Sequence, residues 1–117
     1  MPRNIPGEPY TRVTAKEGKE LFDSGNSAII DVRSEDEYLA GHVKGSIWIP
    51  VDDIIDRYSE LPSDKKLLFI CEVGARSGLA AEYASSMGSD NSDLYNIDEG
   101  TSQWINQGLP HSKGQEK

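Results

Sequence analysis

A single α/β domain on an open sheet is the architecture this chain encodes. Short apolar runs that read as strands alternate with stretches of helical spacing, and one of those runs is apolar almost throughout, as a strand covered on both faces must be. The 117 residues suffice for one core, whereas two would each be marginal. Connections in such a sheet are short and right-handed. Residues 10–110 are expected to form the domain. Residues 1–9, with three prolines and a glycine, read as an irregular, flexible arm, and 111–117 as a frayed, flexible polar tail.

Tyr10 to Val13 suits a short edge strand. Thr14 with Glu17 three positions on is a capping box that starts a helix running to about Asp23, with Ala15, Gly18, Leu21 and Phe22 on its inner face. Ser27 to Val32 is an apolar strand ending in charge; Ser34 with Glu37 then marks a second helix start, and Gly41 its end. Ser46 to Ile49 reads as a strand stopped by Pro50. Val51 to Tyr58 reads as a helix with Ile54, Ile55 and Tyr58 on one face. After a turn at Pro62-Ser63-Asp64 comes the most apolar strand, Lys66 to Ile70. From Ser77 to Met87, the residues Leu79, Ala80, Tyr83, Ala84 and Met87 recur at helical spacing. The polar run Gly88 to Asp93 connects to a last strand, Leu94 to Ile97, and a short helix around Trp104 closes the domain. Trp48 and Trp104 read as packing residues.

Composition narrows the partners. Hydrophobic residues make up 36% and charged residues 27%, and the formal net charge of -8 disfavours phosphate backbones and anionic lipid, so neither nucleic acid nor membrane is an expected partner. No apolar run approaches the roughly 20 residues that cross a bilayer, and the first residues lack a secretory pattern, so a cytoplasmic location is expected. One cysteine allows no internal disulfide, and Asp31, Glu37 and the histidines form no compact ligand motif. No metal and no cofactor are expected.

The chemistry is concentrated in Cys71-Glu72-Val73-Gly74-Ala75-Arg76-Ser77, between the most apolar strand and an amphipathic helix. In open α/β sheets ligands sit beyond the carboxyl ends of the strands, which is where Cys71 falls. A loop curling around the sulfur would aim backbone N–H groups at it and favour an anion there, lowering the thiol pKa; Gly74 supplies the conformational freedom. The alternative is a small buried residue closing a core strand. Arg76 is a candidate for binding an incoming anion or for pairing with one of the chain's many carboxylates. Ser77 suits a helix cap, a donor into the loop, or both.

These residues resemble the rhodanese family from about Val13 to Pro110. Asp31-Val32-Arg33, Glu37-Tyr38, Gly41-His42-Val43, Gly45-Ser46 and Ile49-Pro50 are similar to its long N-terminal signature. Cys71, with four residues before Arg76, resembles its active-site loop, and Gly100, Trp104, Gly108 and Pro110 its closing segment. The resemblance implies an open five-stranded parallel sheet with helices on both faces. It also implies the double displacement of thiosulfate:cyanide sulfurtransferases: Cys71 takes a sulfane sulfur from thiosulfate or a persulfide donor and passes it to a thiol, cyanide or protein acceptor. Asp31, Arg33 and His42 are placed by it in the scaffold that supports the loop. Two other functions fit less well. A noncatalytic rhodanese-like binding or regulatory module would not need Cys71 and Gly74, and the phosphatase or arsenate reductase loops that resemble this one are a residue longer. Glu72 stands where a basic residue is common, and Glu99 where the closing segment often has a glycine. Both are expected to place negative charge or bulk near the mouth.

Overall fold

Alternation along the most apolar run assigns its side chains to two cores. In the computed structural model, which describes all 117 residues, Leu67, Phe69 and Cys71 lie in one buried cluster and Leu68 and Ile70 in the other. This is the period of two expected of a strand covered on both faces. The strands are β1 (Arg3–Asn4), β2 (Thr11–Val13), β3 (Ser27–Asp31), β4 (His42–Val43), β5 (Ile47–Trp48), β6 (Lys66–Ile70), β7 (Leu94–Ile97) and β8 (His111–Ser112). The helices are α1 (Ala15–Asp23), α2 (Glu35–Ala40), α3 (Ala75–Ser86) and α4 (Gly100–Asn106). The main sheet has the order β1-β2-β7-β6-β3-β5, and β2, β7, β6, β3 and β5 pair in parallel. Phe69, beside Ile30 and Asn96, is wholly buried.

Two capping boxes form as expected, Thr14 with Glu17 on α1 and Ser34 with Glu37 on α2. On one face of the sheet, Ala80, Ala81 and Ala84 of α3 pack with Ile30, Val32, Ile54 and Phe69. On the other, Ala15 and Trp104 pack with Val13, Ile29, Leu68 and Ile97. No helix is long and apolar enough to cross a membrane.

Four expectations are corrected. The arm adds a sixth strand: β1 pairs antiparallel with β2, and Arg3 and Arg12 both pair with Asp98. The tail also pairs, with β8 antiparallel to β4 and the Gly114 N–H donating to the Leu39 carbonyl. Residues 51–58 are not one α-helix but hold two 3-10 turns, Val51–Asp53 and Tyr58–Glu60. β-Branched residues and aspartates are weak helix formers, so burial of Val51, Ile54 and Leu61 decides the path there and leaves Ile55 exposed. Finally, α3 starts at Ala75, and its inner face is Ser77, Gly78, Ala80, Ala81 and Ala84, while Leu79 and Met87 point outward. Small residues let it sit close to the sheet: a Cβ on Gly78 would lie 2.7 Å from the Tyr10 hydroxyl.

Candidate active site

β6 ends at Ile70, and the next side chain, Cys71, continues the face that packs under α3. The sulfur is wholly buried. The chain turns back over it, and the Gly74 N–H donates to Sγ at 3.1 Å. Gly74 has φ +90°, and a Cβ there would lie 3.0 Å from the Asp98 carbonyl oxygen, so both the turn and the close approach require glycine. The Ser77 hydroxyl lies 3.2 Å from Sγ and donates to Asn96 Oδ1 at 2.6 Å, while Asn96 Nδ2 donates to the Gly74 carbonyl at 3.0 Å. A closed ring of hydrogen bonds thus ties the loop to β7.

The other side of the loop is held by the closing segment. Thr101 donates to the Cys71 carbonyl from both its N–H, at 2.9 Å, and its hydroxyl, at 3.0 Å. Gly100 crosses the loop so closely that a Cβ on it would sit 1.8 Å from the Glu72 carbonyl oxygen.

The charged residues divide into scaffold and rim. Arg33 Nη2 and Nε hold the fully buried Asp31 carboxylate at 2.7 to 3.2 Å, and Nη2 also donates to the Gly41 carbonyl at 2.7 Å. This fork joins the ends of β3 and α2. His42 is stacked on Tyr38 at 3.8 Å, with Nδ1 2.8 Å from the Tyr38 carbonyl and Nε2 against the Glu116 carbonyl. No hydrogen bond runs from it to the loop. Arg76 places Nη1 and Nη2 on the two Glu37 oxygens at 2.7 and 2.9 Å, which pulls the Glu37 carboxyl down to about 2 and raises the Arg76 guanidinium. Glu72 accepts from the Ser102 hydroxyl and lies 4.0 Å from Arg33 Nη1. Val73 is exposed at the loop tip and Ala75 opens α3. A cleft of about 270 Å³ beside the loop is lined by Arg33, Glu37, Gly41, Glu72, Ser102 and Ile105.

Glu99 is not at the mouth. Its Oε1 accepts from the Ala15 N–H at 2.8 Å and from Gln107 Nε2 at 3.3 Å, so the carboxylate caps α1. Sequence reasoning missed Asn96 and Thr101. A lone amide in the buried run Leu94 to Ile97 is a readable signal, since a buried polar side chain must find partners. Thr101 carries no such mark.

The family model for the rhodanese-like domain matches residues 14–107, and the chain belongs to that family. It is 30% identical over 111 residues to an HTH-type transcriptional regulator of Mycobacterium tuberculosis, a match that takes in 95% of this chain but only 49% of that protein, so the chain spans about half the regulator's length. It is 28% identical over 97 residues to the thiosulfate sulfurtransferase GlpE of Pseudomonas paraeruginosa, covering 83% of this chain and 86% of that one. The crystal structure of a rhodanese-related protein from Thermoplasma volcanium superposes with a TM-score of 0.75 at 29% identity, over 86% of this chain and 96% of that one.

Proposed function

We propose that the chain is a sulfurtransferase that carries a sulfane sulfur as a Cys71 persulfide. The observation that carries this reading is the buried Cys71 sulfur at the end of β6, held by the Gly74 N–H in a loop of four residues before Arg76. In the first displacement the Cys71 thiolate attacks the outer sulfur of thiosulfate. An Sγ–S bond forms, the S–S bond of the donor breaks, and sulfite leaves with its electron pair. In the second, a thiol, cyanide or protein nucleophile attacks the outer sulfur of the persulfide, and the Sγ–S electron pair returns to Cys71. The covalent intermediate splits one transfer into two, and the Gly74 N–H on Sγ favours negative charge on sulfur. Persulfides such as that of glutathione serve the same first step with a thiolate as leaving group. The matching thiosulfate sulfurtransferase adds support for this donor class.

Phosphoryl chemistry is less well supported, since both terminal nitrogens of the Arg76 guanidinium already rest on Glu37 and offer no free fork to a phosphate. A sulfur-responsive regulatory module is the second reading, favoured by the similarity to a transcriptional regulator across nearly the whole of this chain.

Mixing reduced protein with thiosulfate or glutathione persulfide, then measuring intact mass and mapping peptides, tests the reading. A gain of one sulfur on the Cys71 peptide, removable by cyanide, is expected. Cys71→Ser should abolish it with little change in stability, because the side chains are close in size. A folded protein that takes no sulfur from any of several donors rejects the reading. Loading without turnover by any acceptor favours the regulatory module.

A further inference from the structure

Both arginines at the mouth of the Cys71 loop are already held by carboxylates. Arg33 rests on the buried Asp31 at 2.7 to 3.2 Å. Arg76, on the first turn of α3, sets Nη1 and Nη2 on the two Glu37 oxygens at 2.7 and 2.9 Å. The two pairs cancel in charge and leave Glu72 over, since the guanidinium it meets, Arg33 at 4.0 Å, is the one that Asp31 neutralises. The cleft of about 270 Å³ beside the loop therefore has an acidic side, formed by Glu37 and Glu72, and an apolar wall, formed by Ala40 and Ile105.

We infer that Glu37 is a specificity-determining residue: by closing the end of the Arg76 fork it turns oxyanion donors away, and the donor this mouth selects is an alkyl persulfide. The inference rests on the sulfurtransferase reading and chooses between its two donor classes. Thiosulfate brings charged oxygens to a mouth whose bidentate site is filled, and displacing Glu37 from Arg76 would set a released carboxylate beside the incoming anion. A persulfide makes no such demand, and its carbon chain has a place against Ala40 and Ile105. Cys71 Sγ attacks its outer sulfur, the Sγ–S bond forms and the donor's S–S bond breaks. The thiolate leaves with the electron pair and takes up the proton that the outer sulfur carried.

Glu37→Gln isolates the fork. Glu37 Oε1 serves the α2 cap by accepting from the Ser34 N–H and hydroxyl, and a glutamine oxygen can do the same. The amide nitrogen would replace Oε2 opposite Arg76 Nη2, where it cannot accept, so the charge is removed and Nη2 is released. The loop's own ties, from the Gly74 N–H to Sγ and from Thr101 to the Cys71 carbonyl, do not pass through Glu37.

Two measurements on the full chain test the inference. One is the rate of Cys71 loading from thiosulfate and from 2-hydroxyethyl persulfide, read by intact mass; the other is the affinity of the reduced protein for sulfate, read by calorimetry at low ionic strength. Glu37→Gln should raise the ratio of thiosulfate to persulfide loading about fivefold to tenfold and tighten sulfate binding by at least about fivefold. Adding Arg76→Gln should abolish both gains, because they run through the freed guanidinium. Equal changes for the two donors indicate a loosened loop and overturn the inference. A gain that survives the loss of Arg76 overturns it as well. Sulfate transfers no sulfur, so the two readings fail separately. A protein that loads sulfur but changes neither its donor ratio nor its sulfate affinity in Glu37→Gln retains the sulfurtransferase reading and loses this one. A protein that loads from neither donor loses the sulfurtransferase reading, while an Arg76-dependent gain in sulfate binding still upholds the exclusion of anions by Glu37.

Discussion

Arg76 and Glu37 form a two-point ion pair across the rim, Nη1 to Oε1 at 2.7 Å and Nη2 to Oε2 at 2.9 Å. It couples the start of α3 to α2, and so fixes the far end of the Cys71 loop to the segment that also carries Asp31 and Arg33. Glu37 closes the α2 capping box at the same time. One carboxylate thus serves a helix terminus and the loop.

The pair sets a pH dependence with a definite sign. The Glu37 carboxyl falls from an ordinary 4.5 to about 2, so the stability it contributes is fully present above 4.5 and is lost as pH falls through 2. Both side chains are more than a third exposed, which limits the contribution to about 1 kcal/mol or less. Glu37→Gln preserves the cap oxygen while removing the charge. Its urea midpoint should lie below that of the unmodified protein at pH 7, and the gap should shrink between pH 4.5 and 2. A gap of constant size over that range assigns the loss to something other than the ion pair.

Gly100 and Gly108 separate strain from collision. Their φ values are +83° and +78°, but a Cβ on Gly100 meets the Glu72 carbonyl at 1.8 Å, whereas nothing lies within 4 Å of one on Gly108. Gly108→Ala should cost about 1–2 kcal/mol, the cost of a left-handed non-glycine residue. Gly100→Ala should cost at least about 3 kcal/mol, because backbone must move as well. Chemical denaturation of both variants gives the comparison, and equal losses indicate a closing segment that yields freely.

Sulfur loading should be more sensitive at Gly74. A valine there needs φ +90° and meets Asp98 backbone, so the N–H that now lies 3.1 Å from Sγ is displaced. Gly74→Val should load sulfur at least about tenfold more slowly, because the displaced N–H no longer meets the charge that develops on sulfur. Leu79→Ala, on the exposed side of α3, is the control. Comparable loading in the two variants removes the tight loop from the mechanism.

What the chain reveals in advance follows from how local each signal is. The capping boxes lie within four residues, and the alternation of Leu67 to Cys71 between two cores reads directly from a period of two. The Cys71 loop is likewise contiguous. Partners far apart in sequence were harder: nothing near Arg76 marks Glu37, 39 residues earlier, as its partner among so many carboxylates. Glu99 looked like a charge at the mouth because its neighbours belong to the closing segment, yet Ala15 is 84 residues away and supplies the N–H it caps. On α3 the helical spacing of Leu79 and Met87 points to an inner position, yet both are exposed, because close packing on the sheet selects the alanines and glycine beside them.

The charge of Glu72 is best tested through donor choice. It follows Cys71 directly, is about two-fifths exposed, accepts from Ser102 and lies 4.0 Å from Arg33 Nη1. At an effective dielectric of about 40 and a separation of about 7 Å, a unit like-charge contact costs on the order of 1 kcal/mol before screening. Arg33 offsets part of this for an anion entering the neighbouring cleft, which brings the expected gain for thiosulfate in Glu72→Gln to about twofold to fivefold in kcat/KM. A neutral persulfide donor should gain less, and the thiosulfate advantage should shrink as salt rises. Ser102→Ala provides a second handle, because releasing Glu72 from its hydroxyl partner leaves the charge in place and should not reproduce the gain. Equal changes for both donors point to altered thiol reactivity instead. A thiosulfate gain that salt does not reduce, or one matched by Ser102→Ala, counts against the field of Glu72 while leaving sulfur transfer through Cys71 untouched.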